Sequence, residues 1–372
     1  MSARPIRTSV ALIVAVTATW FVARPAFGAA DTDAVEWRAA MHDGPSDLAA
    51  DADGVVITTS APSVYALDAD GHVRWRTPLD DLVLGQPAVG AHTVLVGGMG
   101  SVTALDRADG SLRWHQTRSE GVNSLAVSGD TALVGDDAGT LAAFDAVTGR
   151  PRWSVQHPGA LWSGARVDPA TGAVVATWHQ SASPAVRVFD LATGALRWEA
   201  ATDRFTAAPA LHDGHVVLAI GDGNRHARVE ARDLATGEVQ WQTPVRASFE
   251  EAIEPAVDDH AVAVVDHFGV LSLLDPETGR LRWQHDLADV LLATRVVLTG
   301  NRVAFTSYAG VLHVLDRRDG HVVQTLDPRR LGGLPAAIAA SPWGRSGQGG
   351  RGGGVLLALR LRDWGVQLRR LP

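Results

Sequence analysis

Ala143-Phe-Asp145-Ala-Val-Thr-Gly149-Arg-Pro-Arg-Trp153 decides the fold, because it does not occur alone. It returns as Val188-Phe-Asp190-Leu-Ala-Thr-Gly194-Ala-Leu-Arg-Trp198. Earlier it stands as Thr103-Ala-Leu-Asp106-Arg-Ala-Asp-Gly110-Ser-Leu-Arg-Trp114 and as Tyr65-Ala-Leu-Asp68 followed by Gly71 and Trp75. Two further copies run from Asp233 through Gly237 to Trp241 and from Asp275 through Gly279 to Trp283. A seventh, from Asp316 through Gly320, carries Gln324 where the others have Trp. Successive Asp anchors lie 38 to 45 residues apart, the period of one supersecondary unit repeated in tandem.

Each unit reads as four short strands. In the third copy these are Ser124 to Val127, Thr131 to Val134, Leu141 to Phe144 and Arg152 to Val155, with turns at Gly129-Asp130 and Asp137-Ala-Gly139. The Asp of the last hairpin accepts turn amides, and the Gly supplies the positive φ of a bulged turn. The Trp of the outermost strand is large enough to reach the neighbouring sheet. Four-stranded units of this length arranged around an axis make a β-propeller. The fold class is therefore all-β, a ring of antiparallel four-stranded blades.

The chain ends set the blade count. Leu334 to Ala340, Gly354 to Leu361 and Trp364 to Leu371 give three strands without a fourth. Val35-Glu36-Trp37-Arg38 supplies it, with Trp37 in phase 38 residues before Trp75. The N-terminal strand is expected to pair in the last blade and close the ring at eight blades, with seven as the alternative count. Residues 29–372 then form one domain, with a Gly/Arg-rich insertion at about 344–354. Residues 1–28 read as a secretory signal: Arg4 and Arg7, an apolar run from Ser9 to Ala23, and small residues at Ala26 and Gly28. The run is shorter than the ~20 residues that span a bilayer as a helix. The expected location is periplasmic or extracellular, with no membrane-spanning segment once the signal is removed.

Composition removes whole classes of chemistry. The chain of 372 residues has no Cys and no Lys, so all 33 basic residues are Arg, against 41 Asp plus Glu and a net charge of −8. Disulfides, thiolate metal sites, Cys nucleophiles and a lipidated N-terminal Cys are excluded, as is Schiff-base or P-loop chemistry. The acidic balance excludes a broad nucleic-acid footprint. The absence of Lys reads as coding bias.

The Ala-x-Asp-x-x-Thr-Gly-x-x-x-Trp spacing of Ala143 to Trp153, matched by Ala231 to Trp241, resembles the repeat of the PQQ-type quinoprotein propellers. The likeness extends over nearly the whole chain after the signal. It implies one of two functions. Quinoprotein dehydrogenases hold pyrroloquinoline quinone (PQQ) and Ca²⁺ over the mouth of the ring. Non-catalytic members, among them the outer-membrane-protein assembly factor BamB, act as scaffolds. The missing Cys removes the vicinal pair that many of the dehydrogenases place against the quinone, and segments such as Gln156 to Asp168 are too short to wall in a cofactor. The resemblance therefore points to the scaffold pole, with no cofactor expected and a protein or peptide of the envelope or exterior as partner to a monomeric ring. A PQQ-dependent or other small-ligand oxidoreductase is the alternative.

Candidate binding residues lie in the connections between blades and in the turns between second and third strands. Trp162 and Trp178, with Phe249, offer stacking surfaces. Glu250, Glu251 and Glu254 with Asp266 offer oxygen ligands to a hard cation. His179, His226 and His267 offer bases, and Arg204, Arg225 and Tyr308 complete a patch expected over blades four to six. Solvated acidic and histidine-bearing loops explain the same residues without a ligand. The phased Trp, at 37, 75, 114, 153, 198, 241 and 283, and the repeated Asp and Gly are expected to be structural anchors.

Overall fold

The computed structural model describes residues 35–39, 44–68, 71–161, 164–178, 184–203, 205–221, 227–247, 254–266, 269–287, 296–307, 311–326, 333–341, 354–361 and 366–371. In the strands at 35–39, 333–341, 354–361 and 366–371 it describes the backbone alone. By contact density the chain divides into Met1–Thr32 and Asp33–Pro372. The first unit, with the signal-like segment, lies outside the described residues, as does most of the Gly/Arg-rich stretch between 342 and 353.

Among the described residues there is no helix, and the strands assort into eight antiparallel sheets. Seven have four strands; the fifth has one more, because Phe205–Thr206 and Ala210–His212 both pair with His215–Gly221. The third sheet consists of Val122–Ser128, Thr131–Asp136, Thr140–Asp145 and Pro151–Gln156, each strand two or three residues longer than its sequence pattern. The eighth closes as the phase of Trp37 requires. Val35–Ala39 pairs antiparallel with Val366–Leu371 and becomes the outer strand of a sheet whose other members are Gly333–Ser341 and Gly354–Leu361. The inner strand of each sheet, Ala210–His212 in the fifth, touches the inner strand of the next, and the eighth touches the first, so the contacts form a closed circuit.

Burial follows from this arrangement. The second strands, such as Gly54–Thr59, Thr93–Gly98 and Thr131–Asp136, are buried at every position because both sheet faces meet a neighbouring sheet. They accordingly read as continuous apolar runs rather than alternating ones. The fourth strands alternate, with exposed residues flanking a buried or half-buried Trp.

The repeat motif is the joint between sheets. Asp145 Oδ1 accepts the Thr148 amide and hydroxyl, both at 2.8 Å, and the Gly149 amide donates to Asp145 O at 2.8 Å. Gly149 has φ +70°, and a Cβ there would lie 2.7 Å from Trp114 of the preceding sheet. Trp114 covers that glycine and donates Nε1–H to Ala146 O at 3.0 Å. Trp75, Trp153, Trp198, Trp241 and Trp283 make the equivalent bond to Arg107, Leu191, Leu234, Pro276 and Arg317 of the following sheet.

A β-bulge precedes each repeat Asp. Ala143 faces Trp153 while Phe144 faces Pro151, which leaves Arg152 as the extra residue. The bulge re-aims that side chain, and Arg152 Nη2 reaches Asp145 Oδ2 at 2.9 Å. Arg113, Arg197 and Arg282 reach Asp106, Asp190 and Asp275 in the same way at 2.6–2.7 Å.

These contacts hold three carboxyls well below their ordinary value. The Thr148 amide and hydroxyl, then Arg152, bring Asp145 to about 2. Arg197 and the Thr193 hydroxyl bring Asp190 to about 2. Arg282, then the Thr278 amide and hydroxyl, bring Asp275 to about 2. A carboxyl depressed in the folded state contributes its full stabilisation above the unfolded value of 3.8 and loses it as pH falls towards the folded value. The urea midpoint is therefore expected to fall between pH 4 and pH 2. A variant with Asn at positions 145, 190 and 275 should be less stable at pH 5 and show a shallower acid limb. An unchanged limb would separate these turns from acid sensitivity.

Candidate functional site

In an antiparallel meander the turn between second and third strands shares an end with the connection to the next sheet. Side chains confirm that these segments meet here. Arg118, in the connection after the second sheet, pairs with Asp136 of the third at 2.6 Å, and Asp136 also caps the Thr140 amide at 2.9 Å. Asp81, after the first sheet, accepts the Gly100 amide at 2.9 Å and the Ser101 hydroxyl at 2.8 Å.

Of the twelve predicted binding residues, three are described. Trp162, His179, Arg204, Arg225, His226, Glu250, Glu251, His267 and Tyr308 lie outside the described residues, and so does Phe249.

Glu254 takes part in a contact that spans three sheets. Arg166, at the head of the fourth sheet's inner strand Arg166–Asp168, donates Nε–H to Glu254 Oε1 at 2.8 Å, and Nη2 meets Oε2. Glu254 leads into the inner strand of the sixth sheet, Ala256–Asp258. This bidentate pair joins the fourth and sixth sheets past the fifth, about a quarter exposed on each side chain. Of the patch expected over blades four to six, this pair brings one predicted residue, Glu254, against Arg166. Its arginine partner was not among the predicted residues.

The other two described candidates are structural. Trp178 is 3% exposed, not a solvent-facing stacking surface. Its Nε1–H donates to Gly139 O at 2.9 Å, the His157 ring meets it edge-on at 4.7 Å, and the Arg187 guanidinium lies 5.3 Å from its centre. Desolvation, then the charge of Arg187, lowers the His157 pKa below the ordinary imidazole value. Asp266, 2% exposed, accepts the Val270 amide at 2.7 Å as a hairpin cap, the role Asp136 has in the third sheet. It is not an open cation ligand.

The described residues at this end therefore do not suit a quinone with its calcium. Glu254 is engaged by Arg166, Asp266 by a backbone amide, and the chain holds no Cys to set against a quinone. One cluster of metal-ligand type occurs among the described residues, Asp316, Asp319 and His321, at the opposite end. Asp316 there already meets Arg302 at 3.0 Å and Arg318 at 3.1 Å, two guanidiniums that oppose a hard cation.

The connection end also exposes large apolar side chains on the first two sheets. Leu82 and Met99 are each 53% exposed, and the Met99 amide donates to Leu82 O at 3.2 Å. Both are large apolar residues between turn residues, which was the available signal.

A closed circuit of sheets clamped by Asp–Gly–Trp joints defines a PQQ-like repeat β-propeller. The chain belongs to the family described as outer membrane protein assembly factor BamB, which matches residues 26–175, 137–242 and 225–349. No curated protein matches it. Among solved structures, BamB from Moraxella catarrhalis is similar, with a TM-score of 0.67 at 18% identity over 87% of this chain and 93% of that one. Quinohemoprotein alcohol dehydrogenase from Comamonas testosteroni gives 0.69 at 14% identity over 91% and 77%. The computationally designed Ika8 protein gives 0.68 at 16% over 91% and 98%. These three likenesses are of fold.

Proposed function

We propose that the protein is an exported, non-catalytic scaffold of the cell envelope that binds another protein or peptide at the connection end of its ring. The observation that carries this reading is the condition of the polar groups there. Every described carboxylate of the predicted patch is engaged, Glu254 by a guanidinium and Asp266 by an amide, while Leu82 and Met99 stand exposed at the same end of the first and second sheets. Catalysis needs a poised acid, base or nucleophile. Binding needs a shaped surface with apolar anchors and a polar rim. The family supports an envelope location, and a chain without Cys takes no lipid on an N-terminal cysteine. Among the described residues no helix is long and apolar enough to cross a membrane. Within this reading the Arg166–Glu254 pair fixes the surface between the inner strands of the fourth and sixth sheets. Site-specific cross-linking from the two ends of the ring, set out at the close of the Discussion, tests it.

A further inference from the structure

The repeat places one cross-strand pair at the same point of each sheet, three residues before the repeat Asp and one after the Trp. In the fourth sheet this is Arg187 with Glu199 at 3.1 Å, and in the sixth Ser272 with Gln284 at 2.7 Å. In the fifth it is Glu230, 1% exposed between Arg228 and Arg232. Long side chains fill this position in the fourth and fifth sheets, and short ones, Ala142 opposite Ser154 and Ser272 opposite Gln284, occupy it in the third and sixth. In the second sheet the position belongs to Thr103, bonded to His115 at 3.0 Å.

Thr103 and His115 line a cleft of about 340 Å³ between the first and second sheets. That volume falls in the range of about 300–1,000 Å³ typical of ligand sites. Leu79, Val83, Val96 and Leu105 supply apolar wall, and Asp80 and Asp81 supply two carboxylates; among the described residues no arginine lines it. Asp81 is fixed by the Gly100 amide and the Ser101 hydroxyl, and Asp80 is exposed. Leu82 and Met99 stand exposed at the same end.

We infer that this cleft binds a basic side chain, with its aliphatic stem, from an extended segment of a partner polypeptide. Apolar walls under two carboxylates suit a long side chain that buries its methylenes and keeps its charge at the acidic rim. The uncompensated negative charge selects a cation over an anion. Leu82 and Met99 then contact the residues flanking that cation, which a free amine or single amino acid lacks. The inference rests on the scaffold reading for its choice of a polypeptide occupant, but concerns a separate surface.

The test uses the full chain with its methionines labelled at the methyl carbon. The chain has three Met, and Met99 reports on the cleft. N-acetyl-Leu-Arg-Leu-amide should shift the Met99 methyl saturably, and N-acetyl-Leu-Glu-Leu-amide should not. Thr103→Arg, which installs the fourth sheet's residue, should abolish the shift. Asp80→Asn, at an exposed site, should raise the Kd about three- to tenfold; it reads the site even where Thr103→Arg fails to fold. No saturable shift, equal shifts with both peptides, or an unchanged Kd in Asp80→Asn would overturn the inference. Arginine ethyl ester binding as tightly as the tripeptide would overturn the polypeptide assignment in favour of a small amine. A failure here leaves the cross-links expected from position 246 untouched, so the two readings fall separately.

Discussion

Trp114→Ala is expected to destabilise the ring by about 3–5 kcal/mol, the range for removing a large buried aromatic. Trp114 is 8% exposed, tilts against Phe144 with ring centroids 6.0 Å apart, and covers Gly149 of the next sheet. Its loss opens a void between two sheets and removes one of the two donors to Ala146 O, leaving the Thr93 hydroxyl. Neither backbone can close on the other, because each is held by its own ladder. Gln324→Ala, at the repeat position that lacks Trp, should cost under ~1 kcal/mol by the same logic, since it removes no buried ring. Urea unfolding at one pH compares them. Equal costs at the two positions would contradict the role given to the tryptophans.

The second large effect is expected at Glu230→Ala. Glu230 is 1% exposed, with Arg228 Nε at 3.2 Å and Arg232 Nε at 2.7 Å, and Arg228 also meets Asp203. Removing the carboxylate leaves Arg232 without its carboxylate partner against a low-dielectric wall, while Arg228 keeps Asp203, at a cost of about 3 kcal/mol, the lower end for breaking a buried pair. Combining Arg228→Met, Glu230→Leu and Arg232→Met replaces the whole triad with apolar side chains. That triple variant should recover most of the loss, because no buried charge then lacks a partner. Chemical denaturation of the single and triple variants reads both. A single variant within ~1 kcal/mol of the parent would show that the triad is solvated.

Much of the architecture was legible because it repeats. Seven Asp anchors set the unit length, the runs of apolar residues marked the middle strands, and the phase of Trp37 identified the closing strand. The Arg–Asp pairs were not legible. Arg152 lies seven residues after Asp145, and only a bulge brings such residues together. Trp178 was misplaced because His179 and Gln180 follow it in sequence. It is interior because the preceding sheet's His157 and Gly139 enclose it. Arg166 and Glu254 are 88 residues apart, and their meeting depends on the curvature of the ring, which no local pattern encodes. The cleft beside Thr103 lies at one position of the repeat. That position holds Arg187 or Glu230 in two copies but Ala142 or Ser272 in others, so its residue type alone does not mark the cleft.

The scaffold reading is tested most directly by a photoreactive phenylalanine analogue introduced in turn at two exposed positions. Arg246 lies in the connection between the fifth and sixth sheets, and Glu277 lies in the repeat turn at the opposite end. Irradiation of envelope preparations should give a discrete protein adduct from position 246 and none from position 277. Glu254→Gln should cut the adduct at least about fivefold, the effect of losing a charge-assisted pair, while the melting temperature stays within a few degrees. No adduct from position 246, or equal yields from both ends, would contradict the account.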